Sequence, residues 1–124
     1  MIEIDEALLR RALQSVTVSW FNTHDVSADR VEEYDNYIVE EINDSIKNGV
    51  IDSLYNGINH ILQTEGIDIT YFNDGNYLFR VEEFRQIMER FVNMILSVHK
   101  PKAVASTSIK IVKRGDPSWT PPRF

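Results

Sequence analysis

Residues 64–75 read TEGIDITYFNDG, and the hydrophobic pattern of the chain changes at this stretch. On either side of it, apolar residues recur every three or four positions, which is the period of a helix face. Within it, apolar and polar residues alternate from Ile67 to Tyr71, which is the period of a strand. The residues NDGN that follow favour a tight turn. We therefore predict a short β-hairpin near residues 67–80, between two helical regions.

The first helix is predicted to begin after Asp5. This residue is a suitable N-cap, because its carboxylate can accept a hydrogen bond from a backbone N–H of the first turn. Apolar residues then recur at helical spacing as far as Trp20 and define one buried face. The β-branched run Val16-Thr17-Val18 weakens the end of this helix. We expect it to end near Phe21.

A second helical region is predicted between residues 28 and 64. Ser27 is expected to cap it, followed by acidic residues in the first turns, where the helix dipole favours negative charge. Gly49 provides either a C-cap or a kink. The pattern leaves open whether the region is one bent helix or two helices.

Helical spacing resumes over residues 81–99, and Pro101 is expected to limit this helix. From Lys100 the composition shifts to β-branched residues and then to a proline-rich, aromatic ending. The predicted fold is mostly α, a compact bundle of about four helices with the hairpin and an extended C-terminal tail. We divide the chain into an acidic helical domain at residues 1–99 and a basic extended tail at residues 100–124.

The composition fits one globular domain. A chain of 124 residues with 43% hydrophobic residues can bury a core without disulfides or metal. Cysteine is absent, which excludes disulfides and thiolate metal sites. The N-terminal sequence has no signal-peptide pattern, and no segment approaches the roughly 18 apolar residues of a membrane span. We expect a cytoplasmic protein without membrane contact.

Charge is unevenly distributed along the chain, whose formal net charge is −6. Residues 1–99 contain 18 acidic and 7 basic residues, whereas residues 100–124 contain 1 acidic and 6 basic residues. The acidic body argues against direct binding of nucleic acid, because phosphates require clustered Lys and Arg. A basic partner, or contact between the body and the tail, fits this distribution better.

No catalytic motif is recognisable. The sequence lacks a glycine-rich phosphate loop, a nucleophile elbow and an HExxH helix. The three histidines lie far apart in sequence and lack metal-ligand spacing, and adjacent acids such as Glu82 and Glu83 are expected to be solvated rather than an acid–base pair. We predict no catalytic residue, metal or cofactor.

An acidic stripe is the main candidate for binding, and it comprises Asp29, Glu33, Glu40, Glu41 and Asp44. It can be the solvated face of an amphipathic helix, or it can imitate a phosphate backbone. Carboxylates four residues apart rise about 6 Å along a helix, against about 3.4 Å per phosphate along one strand. One helix therefore supplies roughly half the charge density of a strand, and imitation would need two faces or a dimer.

The end of the chain is the second candidate. Its aromatic and proline residues can form a linear peptide that docks on another subunit or on a partner, or they can remain disordered. Trp119 and Phe124 are the predicted docking residues.

A further pattern surrounds the turn. It includes Glu65-Gly66-Ile67-Asp68, an apolar residue at position 69, a glycine at position 75 and helical residues on both sides, namely Tyr55, Ile58, Ile61, Leu62, Arg85 and Arg90. In this pattern, over roughly residues 38–95, the chain resembles the Ocr family of phage anti-restriction proteins. The resemblance implies an all-helical homodimer that mimics bent B-form DNA and occupies the DNA-binding cleft of a type I restriction-modification enzyme.

Of the residues in this pattern, Glu65 and Asp68 carry over directly, whereas the acids of residues 29–44 carry over as acidic helix character. The expected function is a non-catalytic inhibitor of a host DNA-processing or defence protein, acting in the host cytoplasm. The alternative is a structural or assembly protein, for example of a virion, whose basic tail docks on a neighbouring subunit.

Overall fold

The computed structural model describes residues 2–67, 69–72 and 81–113. Four α-helices and a two-stranded sheet account for most of them, which confirms the mostly helical fold class. In chain order, the elements are β1 (Ile2–Asp5), α1 (Glu6–Phe21), α2 (Asp35–Lys47), α3 (Ile51–Gln63), α4 (Val81–Val98) and β2 (Ile109–Val112). Short 3-10 turns lie at Val31–Tyr34, Ile69–Phe72 and Ser106–Ser108.

The first helix follows its prediction. The Asp5 carboxylate accepts a hydrogen bond from the Ala7 N–H at 3.0 Å and caps α1, and the helix ends at Phe21. Leu9, Leu13 and Val16 are fully buried on its inner face. Burial of this stripe, at roughly 1.5–3 kcal/mol for each large apolar side chain, attaches α1 to the rest of the bundle.

The predicted helix cap at Ser27 is wrong, because α2 begins only at Asp35. Two aromatic side chains hold the intervening backbone instead. The Trp20 indole N–H donates to the Val26 carbonyl at 2.8 Å, and the Ala28 N–H donates to the Tyr34 hydroxyl at 2.9 Å. Because the Val26 carbonyl and the Ala28 N–H bond to side chains, this part of the chain forms a loop at the end of α1 instead of a helical turn.

Residues 28–64 contain two helices rather than one bent helix. After Asn48, Gly49 adopts a φ of 73°, a left-handed conformation that glycine adopts without strain. The Gly49 N–H donates to the Ile46 carbonyl at 3.1 Å, and the Val50 N–H donates to the Ser45 carbonyl at 2.9 Å. These two bonds form a Schellman motif that ends α2.

The prediction of a first hairpin strand is also wrong, because Ile69–Phe72 forms a 3-10 turn. Its two ends, Ile69 and Phe72, are both buried. Residues three apart lie on the same side of a 3-10 helix, so the turn buries both side chains where strand alternation would separate them. The predicted return strand, at residues 73–80, lies outside the described residues.

β1 and β2 form a parallel pair in which Ile2 aligns with Ile109 and Asp5 with Val112. Two side chains of this strand pair, Ile4 and Ile109, are buried in the core. The beginning of the predicted basic tail, residues 100–113, thus packs on the helical body and contains both the 3-10 turn at Ser106–Ser108 and the strand β2. The division of the chain into domains at residue 99 stays a prediction.

Gly57 allows α1 and α3 to approach closely. A Cβ at this position would lie 2.5 Å from Leu9 Cδ2 and 3.2 Å from Leu9 Cγ. Because Leu9 is fully buried, its side chain has little room to move away. The glycine is therefore required by packing, in spite of its low helix propensity.

We predict that Gly57→Ala destabilises the protein, because overpacking costs about 1–3 kcal/mol against a gain of about 1 kcal/mol in helix propensity. In a Leu9→Ala background the overlap is removed, and the same substitution should stabilise. Urea unfolding of the four proteins measures both effects. Equal changes in the unfolding free energy in the two backgrounds would contradict the close contact.

Candidate acidic interaction surface

Three of the predicted binding residues line one groove between α1 and α2. This acidic groove, of about 290 Å³, contains Glu40, Glu41 and Asp44 together with Ser15, Ser19, Tyr37 and Asn43. Ile38 and Ile42 are buried on the side of α2 that lies opposite Glu40 and Asp44. Since residues three and four apart share a helix face, burying these isoleucines directs the acidic flank outward.

The three carboxylates differ in their surroundings. Glu40 and Asp44 are exposed and form no ion pair with another described residue. Glu41 is half-buried, and burial raises the pKa of its carboxyl, an effect that the nearby Asp44 carboxylate reinforces and that a hydrogen bond with Ser15 and the charge of Arg11 oppose. The groove thus holds two open charges beside one that is partly desolvated.

Glu41→Gln should stabilise the protein at neutral pH. Because the pKa of Glu41 is higher in the folded than in the unfolded chain, ionisation opposes folding. That cost is absent below the unfolded pKa and fully present above the folded one. We expect a gain of less than about 1 kcal/mol at about pH 7, since water still reaches the group, and none at about pH 3, below the ordinary glutamate pKa.

Urea unfolding across this pH range measures the effect, with Glu40→Gln as the matched control. Glu40 is exposed and lines the same groove, so its replacement removes the same charge from a side chain that is not half-buried. An equal gain in both variants would assign the effect to general charge repulsion and contradict the role of burial.

Asp29 lies on a different surface from the groove. The loop at residues 26–29 and the start of α4 enclose an acidic cleft of about 480 Å³, which contains Asp29, Glu82 and Glu83 with Val26, Ser27, Ala28, Val31 and Gln86. Glu82 and Glu83 lie in the first turn of α4, where the helix dipole favours acids. The sequence places both acids at the start of the last helix, but it does not predict that they share a cleft with Asp29.

The remaining predicted residues are dispersed. Glu33 accepts a hydrogen bond from the Arg30 N–H at 2.9 Å, so its carboxylate also holds the turn at Val31–Tyr34. Glu65 is exposed after α3 and lines neither the groove nor the cleft. Asp68, and the tail residues Trp119 and Phe124, lie outside the described residues.

One acidic residue of α2, Asp35, is neutralised by an ion pair. Arg90 of α4 donates through Nε to Asp35 Oδ1 at 2.7 Å and through Nη2 to Asp35 Oδ2. Two parallel bonds of this kind fix the geometry of a carboxylate more firmly than one. The pair joins the start of α2 to α4.

The described residues contain no group of three side chains that could hold a metal ion. Among the helices in this part of the chain, none is long and apolar enough to cross a membrane. Searches of protein-family models, curated proteins and solved structures gave no match. The resemblance to the Ocr family stays a prediction.

Proposed function

We propose that the chain is a non-catalytic binding protein, whose acidic groove blocks the basic DNA-binding surface of a host DNA-processing or defence protein. The observation that carries this proposal is the grouping of Glu40, Glu41 and Asp44 on one groove. The carboxylates of Glu40 and Asp44 remain without a cationic partner among the described residues. A surface of this kind attracts a basic partner and repels nucleic acid.

The spacing of the charges supports the same kind of partner. Glu40 and Asp44 lie one helical turn apart, about 6 Å along the axis, which is close to two phosphate steps of about 3.4 Å each along one strand. The acidic cleft adds carboxylates at a second site. A homodimer would present a second copy of each acidic surface.

The partner that we propose is a type I restriction-modification enzyme, and the test is competition with DNA for that enzyme. At low salt and micromolar concentration, the protein should displace DNA, and displacement should weaken as salt rises because exposed charges are screened. Absence of competition at low salt would overturn the proposal.

The groove itself is tested by charge reversal. Glu40→Lys with Asp44→Lys should weaken competition about ten-fold or more, since like charges now face the partner. The matched control is Asp25→Lys with Glu89→Lys, which makes the same change in net charge at exposed residues that line neither the groove nor the cleft. Equal loss in both variants would show that net charge, and not the groove, determines binding.

A second candidate is an assembly protein that docks through its tail. The observation in its favour is that residues 100–113 are held on the body, through β2 and its pairing with β1. The segment with Trp119 and Phe124 therefore begins from a fixed point. If this candidate is correct, removal of residues 114–124 abolishes self-association in sedimentation and leaves the circular dichroism of the body unchanged, whereas unchanged self-association excludes it.

A further inference from the structure

Side chains of α3 hold the main chain of the segment that follows α4. The Asp52 carboxylate accepts a hydrogen bond from the Lys102 N–H at 3.0 Å. The Asn56 amide donates to the Lys102 carbonyl at 2.9 Å and accepts from the Val104 N–H at 2.8 Å. One asparagine side chain thus binds two main-chain groups that lie two residues apart.

The same arrangement continues one turn further along α3. His60 Nδ1 lies 3.0 Å from the Ser106 carbonyl oxygen and 2.8 Å from Ser106 Oγ. We call Asp52, Asn56 and His60 the ladder, and residues 101–106 the strap. The ladder therefore binds every second residue of the strap, in the order of the sequence.

A match between two periods explains this regularity. Four residues of an α-helix rise about 6 Å, and two residues of an extended chain rise about 6.7 Å. One side chain per helical turn therefore meets alternate residues of an extended backbone. With the exception of the contact to Ser106 Oγ, each of these bonds involves a main-chain atom of the strap, so the ladder recognises an extended conformation more than a particular sequence.

The central side chain of the ladder, Asn56, is buried and held in one orientation. Asn56 is 1% exposed, and its amide also donates to the Asp52 carbonyl at 2.8 Å, so both of its N–H groups are bonded. A buried amide held in this way has a fixed orientation. Among the side chains of the strap, Lys102, Ala103 and Ala105 are exposed, whereas Val104 packs against the core.

We infer that α3 carries a binding site for an extended peptide, and that the strap is an exchangeable occupant of this site. The ligand class is an extended segment with free N–H and C=O groups on alternate residues and a small apolar side chain at the position of Val104. The strap competes from within the same chain, at an effective concentration in the millimolar range for a short connection. A peptide from outside binds well only when the strap is weakened.

The experiment uses the full-length protein and a fluorescein-labelled peptide with the sequence of residues 100–113, KPKAVASTSIKIVK. Val104→Pro in the protein removes the backbone N–H that donates a hydrogen bond to Asn56. The side chains of the ladder stay unchanged. Fluorescence anisotropy should show that this variant binds the peptide about ten-fold more tightly than the wild type, since one net hydrogen bond is worth about that factor. Equal affinity, or no binding by either protein, would overturn the inference.

Two controls separate the ladder from other contacts. A peptide with proline at the position of Val104 should bind the Val104→Pro protein about ten-fold more weakly than the unmodified peptide. Adding Asn56→Leu to that protein should remove binding, because leucine has a similar size but no hydrogen-bonding group. Full binding in either control would mean that the peptide occupies another site.

Amide hydrogen exchange of the wild type decides the question if Val104→Pro fails to fold. An exchangeable strap opens locally, so the amides of Lys102 and Val104 should exchange at least about ten-fold faster than the core amides of Ile58 and Phe91. Exchange of all four at one common rate would mean that the strap opens only when the whole protein unfolds, which would refute the inference.

Discussion

The close burial of α3 is the constraint on which the other elements depend. This helix contacts α1, α2, α4 and β2, and its residues from Ser53 to Ile58 are all buried. A helix surrounded in this way needs a small residue where a neighbour comes closest, which is Gly57, and bonded polar side chains where it is not apolar. Asn56 meets that second need through the strap. The strap therefore satisfies the polar side of α3 while completing its burial.

Charge on α2 is organised by the position of the helix between α1 and α4. One flank is joined to α4 by the Asp35–Arg90 pair, so its carboxylate is neutralised. On the other flank, Glu40, Glu41 and Asp44 face the groove beside α1. The acids of α2 thus separate into Asp35, which joins two helices, and three residues that face the groove. Their roles are distinguished by the neighbouring helix and not by their spacing.

The helices follow from the sequence because their apolar periods and caps are local, as the Asp5 cap and the end at Phe21 show. Prediction failed where specific side-chain contacts, rather than the spacing of apolar residues, decide the backbone. Ser27 lies in a loop held by Trp20 and Tyr34, and Ile69 and Phe72 form a turn that buries both side chains. Within the site, helical spacing placed Glu40, Glu41 and Asp44 together. The presence of Asp29 and Glu82 in one cleft depends instead on loop packing that no local pattern encodes.

The parallel pairing of β1 with β2 has a consequence for protein synthesis. Ile2 finds its partner only at Ile109, so the first strand emerges from the ribosome long before the strand that completes it. Helices α1 to α4 can form and begin to associate during translation, because their contacts span shorter sequence distances. The sheet and the strap are then the last parts of the body to assemble. Until residues 109–112 leave the exit tunnel, β1 has no strand to pair with, and part of the apolar surface of Ile4 stays uncovered.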